Sequence, residues 1–90
     1  MGAFSHADQG NSYAQFHLGD MYNNGEVVQQ DYVQAHMWYS LADAGYLASK
    51  NQERLQANIK LAIVVAKMTP DQIAEAQRLA REWTAAHPNK

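Results

Sequence analysis

Two apolar stripes, each closed by a glycine, restrict what the first half of this chain can fold into. Ala14, Leu18 and Tyr22 recur at i, i+4 and i+8 with Met21 beside them, and Gly25 stands where a left-handed helix stop is expected. Ala35, Trp38, Tyr39 and Ala42 repeat at i, i+3, i+4 and i+7, the spacing of a helix that buries one face, and Gly45 ends the run. Ser12 with Gln15 reads as a capping box for the first helix, and Asp31 with Gln34 three residues on caps the second. Residues 26–30 are a short connection, so the two helices should be antiparallel neighbours.

The second half continues in the same grammar. A third helix is expected from about Leu47 to Lys67, with Leu55, Ile59, Ala62, Ile63 and Ala66 as its inner face. The triplet Ile63-Val64-Val65 is too short, and too well phased with that stripe, to make a strand. Thr69-Pro70-Asp71-Gln72 is the strongest boundary in the chain. Thr69 can cap with Gln72 reaching back, Pro70 suits the first turn, and Asp71 favours the positive end of the macrodipole. The fourth helix turns Ile73, Ala76, Leu79, Ala80 and Trp83 inward and stops before His87-Pro88. The expectation is an all-α domain of about four helices. Fifteen alanines against only ten Val, Ile and Thr residues agree with it. Ninety residues suffice for one modest core, burying roughly two thirds of the chain's surface.

Charge removes several function classes. Seven Lys and Arg oppose nine Asp and Glu, and the first 49 residues hold no cation at all. Nucleic-acid binding needs clustered cations to displace counterions from phosphate, and none cluster here. The longest apolar stretch, Leu61 to Ala66 between Lys60 and Lys67, is far short of a membrane span. Met1-Gly2 opens like a myristoylation signal, but His6 stands where Ser or Thr is required. A soluble chain is expected, cytoplasmic, or periplasmic if a signal peptide has been removed. With no cysteine, there is no disulfide framework, cysteine zinc site or cysteine nucleophile.

Internal repetition follows from the glycines. Gly10 and Gly45 each precede a small residue by four positions, Ala14 and Ser49, and lie thirty-five residues apart, a period suited to a helix-hairpin repeat. The pattern Ala14-x-x-x-Leu18-Gly19-x-x-Tyr22-x-x-Gly25, continued by Val28, Asp31, Ala35, Trp38-Tyr39, Ala42 and Gly45, resembles a Sel1-like repeat. That family is related to the tetratricopeptide repeats and forms α/α solenoids. Residues 68–76, Met-Thr-Pro-Asp-Gln-Ile-Ala-Glu-Ala, resemble the terminal helix of bacterial Sel1-like proteins. The resemblance implies a helix-hairpin solenoid fragment. Residues 1–11 would be a tail like the end of a preceding repeat, 12–45 the hairpin repeat, and 46–90 a C-terminal capping helix pair. There are departures. The family usually has a second glycine two positions after Gly25, where this chain has Val27, and Arg54 stands where the next repeat would have its Gly19. Within the motif, Gly19 should let the partner helix approach, and Ala14, Ala35 and Ala42 should keep that gap narrow.

Catalytic signals are thin, and the chain reads as no enzyme. His17 and Asp20 share a helix face at i, i+3, possible metal-ligand spacing, but no further ligand suggests itself. A solvated pair is the simpler reading, and no metal or other cofactor is expected. Glu75 and Glu82 have the spacing of a solvent face, and no Gly-rich phosphate loop, G-x-S-x-G or H-E-x-x-H occurs. Trp38, Tyr39 and Trp83 fall on core stripes.

Off the core stripe of the first helix, Tyr13, Phe16, Asp20 and Asn23 recur at i, i+3, i+7 and i+10 and make a second face. In tetratricopeptide modules the first helix of each hairpin lines the groove that holds a partner. By that resemblance these four residues, extended by Asn51 and Asn58 on the third helix, are candidates to bind a protein or peptide in an adaptor or scaffold role. Tyr and Phe are residue types suited to binding hot spots. Two other readings stand beside this one. Tyr13 and Phe16 could pack on the leading segment around Phe4 and Ala7. Alternatively, the chain is a structural cap or self-association unit, with the first helix face joining further repeats or a second copy in a homo-oligomer.

Overall fold

The structure is a computed structural model that describes residues 10–46 and 50–87. Four helices are present and, among the described residues, no strand: α1 (Ser12–Asn24), α2 (Tyr32–Gly45), α3 (Asn51–Val65) and α4 (Pro70–Ala86). The fold is all-α, as the stripes and caps predict. The expected start of the third helix at Leu47 lies outside the described residues.

The caps explain where the helices begin and end. The Asp31 side chain accepts the Gln34 amide at 3.1 Å. At Thr69 the full box forms, Gln72 N donating to Thr69 Oγ1 at 3.1 Å and Thr69 N to Gln72 Oε1 at 2.9 Å. Gly25 closes α1 at φ 72°, its N–H donating to Met21 O at 2.8 Å. The start of α1 differs from the expected capping box. Asn11 is the cap, its side chain accepting the Ala14 amide, and Ser12 is the first helical residue, buried. Asn caps as well as Ser, and Ser12 lies where the end of α2 passes. A Cβ on Gly45 would collide with Ser12 Oγ. Gly45 is therefore a contact residue within α2 rather than its stop, and Tyr46 forms the cap.

Helix α2 is the centre of the molecule. Helices α1, α3 and α4 each pack on α2, far more extensively than on one another. With neighbours on several sides, α2 buries Ala35, His36, Met37, Trp38, Tyr39, Leu41 and Ala42, more than the single stripe in its sequence. Two clusters form around it. Leu18, Met37, Trp38 and Leu41 receive Ala14, Met21 and Tyr22 from α1 and Leu79, Ala80 and Trp83 from α4. On the other side, Ala35, Tyr39 and Val64 receive Phe16, Tyr22, Tyr32, Leu61 and Met68. The inward face expected of α4 is the one observed, and Trp38 and Trp83 meet edge to face at 6.1 Å. Their two indole N–H groups are buried without an acceptor among the described residues.

The phase of α3 is a correction. Its buried residues are Ala57 and Val64, with Leu61 packed alongside. Leu55, Ile59 and Ile63, expected inside, are 58%, 43% and 44% exposed, and Ala62 and Ala66 are exposed with them. Polar contacts on both flanks hold this rotation. On one side Asn58 and Arg54 reach Asp43 of α2 at 3.0 and 3.5 Å, and on the other Lys60 reaches Asp20 of α1 at 3.4 Å. Ala57, with no side chain beyond Cβ, lets the backbone come close where a leucine would hold it off.

Candidate functional site

The second face of α1 takes its shape from Tyr39 beneath it. Gly19 leaves room for the Tyr39 ring, which is fully buried and packs against Phe16 at 5.5 Å between centroids. The ring then carries its hydroxyl to Asp20, donating to Oδ1 at 2.5 Å. Lys60 approaches the same oxygen at 3.4 Å. Helices α1, α2 and α3 thus each contribute one group to a half-buried carboxylate, phenol and ammonium cluster. Burial, followed by the neighbouring Asp20 carboxylate, pushes the Tyr39 hydroxyl well above its ordinary acidity range. It remains a proton donor at neutral pH.

Of the six candidate residues, four share this side of α1, in different states. Tyr13 is 53% exposed and braced edge to face by Tyr46 at 5.2 Å. Phe16 is half-buried in the second core cluster, so its ring is shared between surface and core. Asp20 is fixed by Tyr39 and Lys60 as described. Asn23 has Oδ1 buried without a donor among the described residues, while its carbonyl accepts from Gln30 Nε2 at 2.8 Å. That closed-off oxygen offers little to a partner. The leading segment around Phe4 and Ala7, the other proposed support for Tyr13 and Phe16, lies outside the described residues.

Asn51 and Asn58 do not join this surface. Asn58 lies two residues from Lys60, on the opposite side of α3, since positions two apart on a helix do not face the same way. Its Nδ2 donates to Asp43 and to the Arg54 carbonyl, and Asn51 is exposed near the start of α3. The α3 residue that does reach the α1 face is Lys60, which the sequence reading missed. Its signal was available only as the i, i+3, i+7 relation of Ala57, Lys60 and Val64 once the true inner face is known.

A shallow cleft borders Tyr13, lined by Gly10, Asn11, Ser12, Gly45, Tyr46 and Lys50. Its volume of about 240 Å³ falls below the roughly 300 Å³ at which small-molecule sites begin. His17 is exposed and Asp20 is committed to Tyr39 and Lys60. Among the described residues no group of three or more His, Asp or Glu side chains converges as metal ligands. Arg78 bridges Glu75 and Glu82 at 2.6 and 2.5 Å on the exposed side of α4. Among the described residues no helix is long and apolar enough to cross a membrane. Compared with protein-family models, with curated proteins and with solved structures, the chain matches none.

Proposed function

We propose that this chain is a non-catalytic protein-interaction module, a Sel1-like, tetratricopeptide-related helix hairpin that binds a peptide or protein surface on the face of α1. The observation that carries this reading is Tyr13. It is a large aromatic left half open to solvent, yet held in one orientation by Tyr46. A braced aromatic loses little freedom on binding, which is what makes it an anchor. The Asp20 carboxylate, held by Tyr39 and Lys60, gives the same face a fixed polar contact. An adaptor or scaffold role needs no more chemistry than this. The Sel1-like resemblance is supported by the antiparallel hairpin of α1 and α2, with Gly19, Gly25 and Asp31 in the roles the repeat pattern gives them.

The test is affinity capture from the source cell, followed by titration of the purified partner against wild type and Tyr13→Ala. Loss of about 2 kcal/mol, roughly thirty-fold in Kd, is expected of an anchor. Equal affinity for both proteins would remove the α1 face as the binding surface.

The second reading, a cap or self-association unit, is favoured by a separate observation: the apolar outward stripe of α3.

A further inference from the structure

Leu55, Ile59, Ala62 and Ile63, continued by Ala66 at the C-cap in helical backbone geometry, occupy the side of α3 directly opposite its buried Ala57 and Val64. The helix therefore has two apolar faces, and only one of them is covered among the described residues. The outward face has two properties that bear on what covers it.

The first is charge. Arg54 is turned to Asp43, Lys60 to Asp20, and Lys67 lies over the Tyr32 ring at 5.5 Å. The stripe is bordered by the amides of Gln52, Gln56 and Asn58. Two copies of this face can meet without like-charge repulsion, whereas a partner recognised through charge would gain nothing here.

The second property is size order. Leu55, Ile59, Ala62 and Ala66 follow the 4-3-4 spacing of a helix–helix seam, with the two large residues first and the two alanines last. Antiparallel pairing about a two-fold axis between residues 60 and 61 sets Leu55 against Ala66 of the second copy and Ile59 against Ala62 of the second copy. Each large residue of this four-residue seam then faces a small one, while Ile63 lies at the flank of the seam beside Asn58 of the second copy, and the isologous rule, in which i meets j and j meets i, is satisfied. Parallel pairing would set large on large and small on small.

We propose that the outward face of α3 docks a second copy of this chain, in an antiparallel α3–α3 pair with Leu55 on Ala66 and Ile59 on Ala62. The contact is separate from the α1 face, so either surface can fail without the other. It runs from residue 55 to residue 66, about 17 Å at 1.5 Å per residue. That is small beside the roughly 800 Å² per partner of a standard interface, so the dimer is weak and forms with rising concentration.

Sedimentation velocity of the full chain from about 5 µM to about 2 mM tests it. The expected result is a monomer passing to a dimer, with Kd between about 1 µM and 1 mM. Ala62→Ile adds apolar surface but sets Ile on Ile, and is expected to weaken the dimer by about ten-fold or more. The double variant Ile59→Ala/Ala62→Ile exchanges the two sizes and is expected to return Kd to within about three-fold of wild type. Both positions point outward, so circular dichroism should show the helices intact in each variant. A wild type that stays monomeric throughout would overturn the proposal, as would a dimer that Ala62→Ile leaves equal or tighter. Failure of the double variant to restore the dimer would overturn it too.

Discussion

Tyr39 occupies the space that a Cβ on residue 19 would need. Its Cδ1 lies 2.5 Å and its Cε1 2.6 Å from that position, and the ring has no exposed edge along which to retreat. Gly19→Ala should therefore destabilise the protein, although alanine gains about 1 kcal/mol of helix propensity over glycine. Overpacking a closed core costs about 1–3 kcal/mol or more, and the clash here is with a buried ring rather than a flexible chain end. A net loss of about 2 kcal/mol is expected in urea unfolding. Unchanged or increased stability would show that the Tyr39 ring can shift.

Val27 sits at φ 71° with 88% of its surface exposed. A β-branched residue in the left-handed region is strained by contact between Cβ and its own carbonyl, and here no packing offsets the cost. It is also the position where a Sel1-like repeat would have glycine. Val27→Gly is expected to raise stability by about 1 kcal/mol, read as a higher melting temperature. A lower melting temperature would refute the strain.

Removing only the hydroxyl at Tyr39 isolates its bond to Asp20. Tyr39→Phe keeps the ring over Gly19 and should cost about 1.5–3 kcal/mol, the range for a hydrogen bond to a charged group. The pH profile supplies a second reading. The folded-state pKa of Tyr39 is raised by burial and by Asp20, so above pH ~10 the unfolded chain releases this proton while the native chain keeps it. Stability is full below that pH and falls as pH rises above it. Denaturation curves between pH 9 and about 11 should show a shallower decline in the phenylalanine variant. Matching slopes would mean that the Tyr39–Asp20 contact does not stabilise the protonated phenol.

His36 makes the opposite prediction at acid pH. Its ring is buried beside Ser40, Oγ to Nδ1 at 3.3 Å, and desolvation lowers its pKa below the usual imidazole value. The unfolded chain takes up the proton first as pH falls through about 6.5. This contribution to stability is present above that value and is lost as pH falls through the lower folded-state pKa. His36→Gln should flatten the stability profile between pH 6.5 and about 5, whatever it does to the absolute stability. A variant profile as steep as wild type would assign the acid loss to other groups.

Local chemistry alone determined most of this molecule. Capping at Asp31 and Thr69, the glycine stop at 25 and the stripes of α1, α2 and α4 depend on residues three or four apart, so they can be read from the chain without its neighbours. The closeness at Gly19 was likewise visible as a glycine inside a helical stripe. What only the tertiary structure decided is rotation and neighbourhood. Helix α3 is apolar on two sides, and periodicity selects the larger residues, Leu55, Ile59 and Ile63. The fold instead turns Ala57 and Val64 inward, because Asp43 and Asp20 hold Asn58, Arg54 and Lys60 on its flanks and a small residue is needed where the helices approach. That rotation removed Asn51 and Asn58 from the candidate face, brought Lys60 to it, and left outside the stripe that the sequence had read as core.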